Sequence, residues 1–366
     1  MSDLSQTLKE SWTLVEARQD RLASQFYARM FLADPQLRDH FPVQMSESRS
    51  RLLASIITAI QNIDDPDRLD DYLGGLGRDH RKYRATVAHY DLFGRALLTS
   101  LRDIAEGQWC DEYDDAWREA YAVIAGKMQA GAAEQTDPPY WHAEVVSHER
   151  RGRDVAVFTC RPLEPLPYRA GQHVSIECGY RPQQWRPYSV ANAPRRDGLM
   201  EFHVRARNAG WVSGALVRSL KVGDMLRLAS PIGTMTVDRQ STRDIVCVAG
   251  GTGLAPIKAI VQELTRFNRT RWVHVFVGSR NEDGLYDLAD LARLASRYPW
   301  LSVVPACSAS RFYSGERGKI SDVLVRYGPW KGNEFFVLGP PLMMKATLRR
   351  LAEMRVPADR IRYDPL

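Results

Sequence analysis

Ile245-Val-Cys-Val-Ala-Gly-Gly-Thr-Gly-Leu-Ala-Pro256 is the stretch on which the reading of this chain turns. The apolar run Ile245 to Ala249 predicts a buried strand, and the glycines after it predict a tight turn into a helix starting near Pro256. Backbone without side chains can approach a pyrophosphate closely, and the free N–H groups at a helix N-terminus favour its charge. Gly250, Gly251, Thr252, Gly253, Leu254, Ala255 and Pro256 are therefore candidates for holding a dinucleotide.

Working outward, the runs Trp272 to Val277, Leu301 to Ala306 and Phe335 to Leu338 alternate with helical stretches, which predicts a parallel sheet of βαβ units. Upstream, from Tyr140 to Asp238, short alternating runs such as Val155 to Phe158, Val174 to Ile176 and Phe202 to Ala206 are separated by Gly and Pro turns. That texture predicts a small antiparallel barrel. The first third is different again, with apolar residues at helical spacing: Leu4, Leu8, Trp12 and Val15, then Leu22, Phe26 and Met30. Asp34-Pro35 interrupts the pattern, which Ile56, Ile60 and Ile63 resume and Phe93 to Ile104 and Trp117 to Met128 continue. The predicted fold class is multidomain: an all-α domain over 1–134, a linker over 135–139 at two prolines, an antiparallel β-barrel over 140–239, and an α/β parallel-sheet domain over 240–366.

A chain of 366 residues, 44% hydrophobic and 26% charged, has the composition of two or three packed cores. It has no apolar run long enough to span a membrane, and its first residues lack the basic start and apolar centre of a signal peptide, so a cytoplasmic location is expected. The 5 cysteines (Cys110, Cys160, Cys178, Cys247, Cys307) are scattered without a CxxC, against zinc, covalent haem attachment or a disulfide framework, and read as buried thiols. The net charge of +6 comes from 50 basic residues interleaved with 44 acidic ones. Without a long basic block, nucleic acid is not expected as a partner, and anionic dinucleotides account for the excess.

Within the predicted barrel stands Arg186-Pro187-Tyr188-Ser189. RxYS followed by GGTGxAP resembles the ferredoxin-reductase superfamily in order and spacing. The resemblance implies FAD in the barrel, with Arg186 on the flavin pyrophosphate, Tyr188 packed on the isoalloxazine and Ser189 near flavin N5. These roles suit a bidentate guanidinium and a flat aromatic ring. Tyr168-Arg-Ala-Gly-Gln172 resembles the family's YxPGQ turn, and Gly210-Trp-Val212-Ser213 its second flavin-phosphate loop. Leu338-Gly339-Pro340-Pro-Leu-Met343 resembles its nicotinamide loop, with Leu338 where the family has Cys. The chain closes on Tyr363-Asp-Pro-Leu366 without the family's aromatic. Ser279 and Arg280 follow the second strand and could meet a 2′-phosphate or a ribose, leaving both NADH and NADPH open.

Of 8 histidines, His80 has informative company: Asp79-His-Arg-Lys-Tyr83 before a helix with Tyr90, and far upstream Phe26-Tyr27-Ala-Arg-Met-Phe31 and Phe41-Pro42. Over Leu4 to Glu134 this resembles the globin domain of flavohaemoglobins. The resemblance implies haem b with His80 as proximal iron ligand, catalytic roles for Tyr27 on the distal side and Tyr90 on the proximal side, and Phe41, Ser48 and Leu52 in the haem pocket. Neutral imidazole is a suitable fifth ligand, and a phenol O–H can donate to charge developing on bound gas. The member is divergent: Ser48 stands for the distal Gln, Asp79 for a Lys, and Ala132 for the Glu that pairs with Tyr90.

The resulting expectation is an NAD(P)H- and O₂-dependent oxidation of nitric oxide to nitrate at a haem reduced through FAD, with small molecules as its only obligatory partners. Fusion in one chain keeps the flavin at high effective concentration beside the haem. Three other readings are open at this point: haem redox chemistry on a peroxide or organic acid, a gas-sensing globin whose reductase resets the iron, and a helical domain that binds no haem and is only an appendage.

Overall fold

The computed structural model describes residues 3–41, 44–208 and 210–363, and the chain separates into two units: residues 1–140 with 182–184, and residues 141–181 with 185–366. Pro42 and residues 364–366 of the C-terminal stretch lie outside the described residues.

The first unit contains helices α1 (Asp3–Glu16), α2 (Gln19–Ala33), α3 (Ser46–Gln61), α4 (Pro66–His80), α5 (Val87–Ala105) and α6 (Asp111–Ala133). Asp34 stops α2 in an extended conformation, and its carboxylate accepts the Gln36 N–H to open a 3₁₀ turn at Pro35–His40. Asp65 caps α4 in the same way from the Arg68 N–H, with Pro66 at the first helical position. Leu8, Leu22, Phe26, Met30 and Leu101 are fully enclosed in the core. Each stabilises the fold by roughly 1.5–3 kcal/mol through apolar burial. A Cβ on Gly77 would lie 1.9 Å from the Met128 carbonyl oxygen, and one on Gly131 would lie 2.5 Å from the Cα of Gly74. Glycine in these helices therefore lets α4 and α6 touch backbone to backbone, which fixes the end of α4 where His80 sits. Cys110, expected to be buried, is exposed ahead of α6; the other cysteines are buried inside the second unit.

The second unit begins with β1 (Trp141–Arg150), β2 (Val155–Pro162), β3 (His173–Cys178), β4 (Arg181–Ser189), β5 (Met200–Arg205), α7 (Trp211–Arg218) and β6 (Met225–Leu228). The strands pair antiparallel in the order β4-β3-β6-β1-β2-β5. A bridge between Val190 and Phe202 joins the two outer strands, so the sheet curls into the expected barrel around Phe158 and Phe202.

Beyond it come β7 (Ile245–Gly250), α8 (Leu254–Phe267), β8 (Val273–Ser279), α9 (Leu288–Arg297), β9 (Leu301–Cys307), β10 (Glu316–Arg317), α10 (Ile320–Arg326), β11 (Glu334–Leu338), α11 (Pro341–Glu353) and β12 (Ile361–Arg362). They form a parallel sheet ordered β10-β9-β8-β7-β11-β12. Connections run one way from β7 to β8 and the other way to β11, which opens a crevice beyond the carboxyl ends of β7 and β11. Helix α8 starts at Leu254, earlier than expected from Pro256, because Gly251–Gly253 already coil into a 3₁₀ turn and Pro256 fits within the first helical turn. No helix of the described residues is long and apolar enough to cross a membrane.

Candidate active site

In the helical unit, α4 ends on His80, whose Nδ1 lies 2.8 Å from the Leu76 carbonyl oxygen one turn earlier. Donation from Nδ1–H to that carbonyl leaves Nε2 as the bare nitrogen, the form that ligates iron. Burial also lowers the His80 pKa, opposed in part by the Leu76 hydrogen bond and by Asp79, so the neutral ring is favoured. Tyr83 packs edge-on between His80, at 5.8 Å, and His40, at 6.1 Å. Phe41 follows His40 and meets the Tyr27 ring edge-on at 5.3 Å.

The Tyr27 hydroxyl donates to the Ser48 carbonyl oxygen at 3.0 Å, and burial raises its pKa, with Arg49 and Arg51 pulling the other way. Tyr27 is thus a protonated donor at any ordinary pH. Position 48 meets Tyr27 through its main chain, a contact that does not depend on the residue type there. Leu52 lies one turn further along α3 and packs on the same core. Asp79 is neutralised by Lys82 at 2.5 Å, a lysine with little exposure, so the reversed charge at position 79 comes with its own counter-ion. On α5, the Tyr90 side chain is half-buried and its carbonyl accepts the Tyr121 hydroxyl at 2.5 Å. Glu134 is exposed past the end of α6 and Ala132 carries no acceptor. A bare imidazole nitrogen at the end of α4, together with a phenol donor and packed rings in the same helical unit, is a donor set that fits haem.

In the barrel, Arg186, Pro187, Tyr188 and Ser189 pair with Ile176, Ser175, Val174 and His173 of β3. The Arg186 guanidinium bonds the Trp185 carbonyl at 2.7 Å. Burial raises the Tyr188 pKa while Arg186 and Arg207 lower it, which places both cations near that ring. Arg207 drew no attention in the sequence; its position three residues before Gly210 is the signal that could have found it. Tyr168 and Gln172 turn inward: the Tyr168 hydroxyl meets the Asn192 carbonyl at 3.1 Å, and Gln172 accepts the Arg169 N–H at 2.8 Å. They shape the turn at Gly171, where φ is +95°. Gly210 caps α7, and Ser213 Oγ accepts the Arg207 N–H at 3.1 Å while the buried Val212 packs inward. The first N–H groups of α7, near cationic Arg207, suit a phosphate. A guanidinium beside a half-buried aromatic ring and an open helix start fit FAD.

The nucleotide turn packs against the loop after β11, as Ala249 pairs with Leu338 across the parallel ladder. A Cβ on Gly253 would lie 2.6 Å from the Leu338 carbonyl group, and one on Gly250 would lie 2.5 Å from Met343 Sδ and 3.0 Å from Pro340. Gly339 has φ +156° and would likewise meet Met343 and the Gly250 backbone. Two segments distant in sequence, 250–256 and 338–343, thus form one glycine-lined cradle at the switch point, which fits a dinucleotide. Ser279 is less available than the sequence suggested: its hydroxyl stands where a Cβ on Gly284 would be, and its carbonyl accepts the Ser308 N–H at 2.9 Å. The open cleft beyond it is lined by Asn281, Glu282, Asp283, Ser310, Arg311 and Phe312, with Arg280 exposed beside it.

Three family models match in succession: globin over residues 24–128, the oxidoreductase FAD-binding domain over 142–237, and the oxidoreductase NAD-binding domain over 247–349. The protein is therefore an oxidoreductase that joins a haem globin to an FAD- and nicotinamide-binding reductase in one chain. It is similar to the flavohemoprotein of Bordetella pertussis, 28% identical over 97% of this chain and 95% of the relative. Among solved structures it resembles the flavohemoglobin of Malassezia yamatoensis with bound FAD and heme, at TM-score 0.84 and 20% identity over 99% of this chain and 98% of that one. The second unit alone resembles the FAD/NAD-binding domain of the nitric oxide dioxygenase of Vibrio cholerae, at TM-score 0.56 and 21% identity over 61% of this chain and 97% of that one. The chain belongs to the flavohaemoglobin family.

Proposed function

We propose that this flavohaemoglobin is a nitric oxide dioxygenase, which uses NAD(P)H and O₂ to convert nitric oxide to nitrate. In that reaction nitrogen gives up three electrons and dioxygen takes four, so one electron per nitric oxide must come from the nicotinamide. Bound haem supplies an iron that holds O₂ and takes one electron at a time, and bound FAD splits the hydride pair into single electrons. The observation that carries the reading is the Tyr27 hydroxyl, buried, kept protonated and anchored on the Ser48 carbonyl beside Phe41.

The residues divide the work by their chemistry. His80 offers Nε2 to the iron while Leu76 holds the ring, and Tyr27 redirects its O–H toward negative charge arising on the distal side. Phe41 and Leu52 exclude water there. Arg186 and the start of α7 would neutralise flavin phosphates, Tyr188 would support the flavin ring, and Ser189 would offer its hydroxyl to the bound flavin. Gly250 to Pro256, with Gly339, Pro340 and Met343, present backbone to the dinucleotide. Lys82 offsets the charge of Asp79 next to His80. The cleft that holds Glu282 and Asp283 also holds Arg311, with Arg280 exposed beside it, so its charges suit a ribose hydroxyl and a 2′-phosphate alike and either NADH or NADPH serves.

Peroxide chemistry is the less favoured rival. His80 leans on a neutral carbonyl, and Tyr90 has no carboxylate at position 132, so the imidazole gains no anionic partner to strengthen its push on an O–O bond. The test is stopped-flow mixing of NADH-reduced, O₂-loaded protein with nitric oxide. The proposal expects spectral decay much faster than without nitric oxide, with nitrate as product. Decay at the same rate with and without nitric oxide would remove it.

A further inference from the structure

A buried ionic cluster in the second unit has no part in the cofactor contacts described above. The Lys258 ammonium lies 3.0 Å from Glu201 Oε1, 2.8 Å from Asp287 Oδ2 and 3.0 Å from Asp290 Oδ2, with side-chain exposures of 5% for Lys258 and 1% for Asp287. An ammonium has three N–H donors, and here three carboxylates face it. Glu201 also meets His203 Nε2 at 2.9 Å, and His203 Nδ1 lies 2.8 Å from the Tyr286 hydroxyl. A neutral ring with its proton on Nε2 satisfies both contacts.

The positions of these groups matter more than their number. Lys258 is in α8, two residues after the Pro256 that ends the nucleotide turn. Glu201 and His203 are on β5, and Arg205 on the same face lies 3.5 Å from where a Cβ on Gly251 would be. Strand β5 also holds the chain that leaves the flavin strand: the Glu201 carbonyl accepts the Ala191 N–H at 2.7 Å, and the Asn192 side chain accepts the Glu201 N–H at 2.6 Å. Ser189, at the end of β4, is thus tied through β5 and Lys258 to the helix whose N-terminus forms the dinucleotide cradle.

Well-packed apolar residues would hold two surfaces together at least as tightly as a buried ion cluster, which loses much of its attraction to desolvation. What directed ion pairs add is register, because charges held at three defined acceptors cannot slide. Hydride transfer is sensitive to register: donor and acceptor atoms must approach to about 3–3.5 Å, and a displacement of about 1 Å costs roughly a hundredfold in rate. We propose that Lys258 and Glu201 are positioning residues for hydride transfer, locking the dinucleotide helix to the strand beside the flavin. The inference rests on reduction of bound FAD by a nicotinamide dinucleotide and is independent of what the haem acts on.

The test uses purified, FAD- and haem-loaded Lys258→Met, Glu201→Gln and Lys258→Arg proteins mixed anaerobically with NADH. Three quantities are read: the limiting rate of flavin bleaching, the apparent NADH dissociation constant, and the long-wavelength absorbance from nicotinamide stacked on flavin. Hydrogen exchange of β5 and α8 is measured alongside. Lys258→Met is expected to slow the limiting rate at least about tenfold, leave the dissociation constant within about threefold, lose the stacking absorbance and speed exchange in both elements. Lys258→Arg, which keeps the charge, recovers part of the rate and the absorbance. If Lys258→Met loses its flavin, Glu201→Gln, of the same size, carries the test with the same split between rate and affinity. Either flavin-loaded variant with wild-type rate and absorbance overturns the proposal. So does a fall in NADH affinity as large as the fall in rate. A wild-type protein whose flavin NADH does not reduce would instead sink the assignment of the reductase itself.

Discussion

The two units build their sites from different materials. In the helical unit the site is a few side chains carried far apart in sequence: Tyr27 within α2, Phe41 after a 3₁₀ turn, Leu52 on α3 and His80 on the last residue of α4. In the reductase unit it is largely main chain, with Gly250, Gly253 and Gly339 allowing two loops to meet where any Cβ would collide. A side-chain site can change one function at a time, since a single residue carries each. A backbone site tolerates little change at its glycines but much change around them. The departures that the family resemblance implies would follow that division: Ser48, Asp79 and Ala132 stand where it expects functional side chains in the globin, whereas in the reductase Leu338 stands where it expects a Cys and the glycines remain.

The largest effects should be all-or-none losses confined to one unit. His80→Ala removes the one bare imidazole nitrogen at the end of α4, so the purified variant should lose its Soret band and keep its flavin spectrum. A normal Soret band would refute the ligand assignment. In the other unit, Gly253→Ala places a methyl 2.6 Å from the Leu338 carbonyl group, too close for contact, so the two loops of the cradle must move apart. Flavin reduction by NADH should fall on the order of a hundredfold while the haem spectrum stays unchanged. If that variant reduces normally, the cradle is not where the dinucleotide binds.

These two substitutions also mark what the sequence made legible. Glycine and proline report backbone geometry directly, so the turn at Gly250, the break at Asp34-Pro35 and the order of the three domains' elements could be read without a structure. Ring and charge contacts between distant segments could not. Nothing in the sequence says that Asp79 is answered by Lys82, that the Ser48 contribution is a carbonyl, or that Lys258 faces Glu201 across 57 residues of chain. Each depends on helix phase or strand pairing that a few degrees of rotation would undo. Cys110 follows the same rule: its residue type favours burial, but its place just ahead of α6 decides its exposure.

Smaller effects sharpen the contrast. Tyr27→Phe keeps the ring and its packing on Phe41 and deletes only the donor, so stability should change by no more than about 1 kcal/mol. The nitric oxide-dependent rate should fall by a factor of about 100 or more, measured by the stopped-flow assay described above. A rate within about twofold of wild type would take Tyr27 out of the chemistry. Cofactor choice comes next: a 2′-phosphate in the cleft would meet Arg280 and Arg311, so Arg280→Ala should lower kcat/KM for NADPH more than for NADH. A variant that changes both values equally, or neither, would mean the ribose lies elsewhere.

The smallest effect concerns pH. Burial alone would raise the Glu201 pKa, but hydrogen bonds from His203 and the charge of Lys258 bring it from 4.5 down to about 2. A carboxyl depressed on folding stabilises the native state above its unfolded pKa and loses that contribution as pH falls through the folded value. The reductase unit should therefore lose on the order of 2–3 kcal/mol between about pH 5 and pH 2, a slope that Glu201→Gln should flatten. Identical acid unfolding of the two proteins would show that the cluster is not ionised as described.

The central claim is that the reductase of this chain serves the haem of the same chain. An absorbance spectrum of the purified protein before and after anaerobic NADH tests it most directly. The account predicts haem and flavin bands at the start, bleaching of the flavin and a shift of the Soret band to that of reduced haem, at a rate per molecule that does not change with protein concentration. Flavin that bleaches while the Soret band stays in place, or haem reduction that appears only as protein concentration rises, would contradict it.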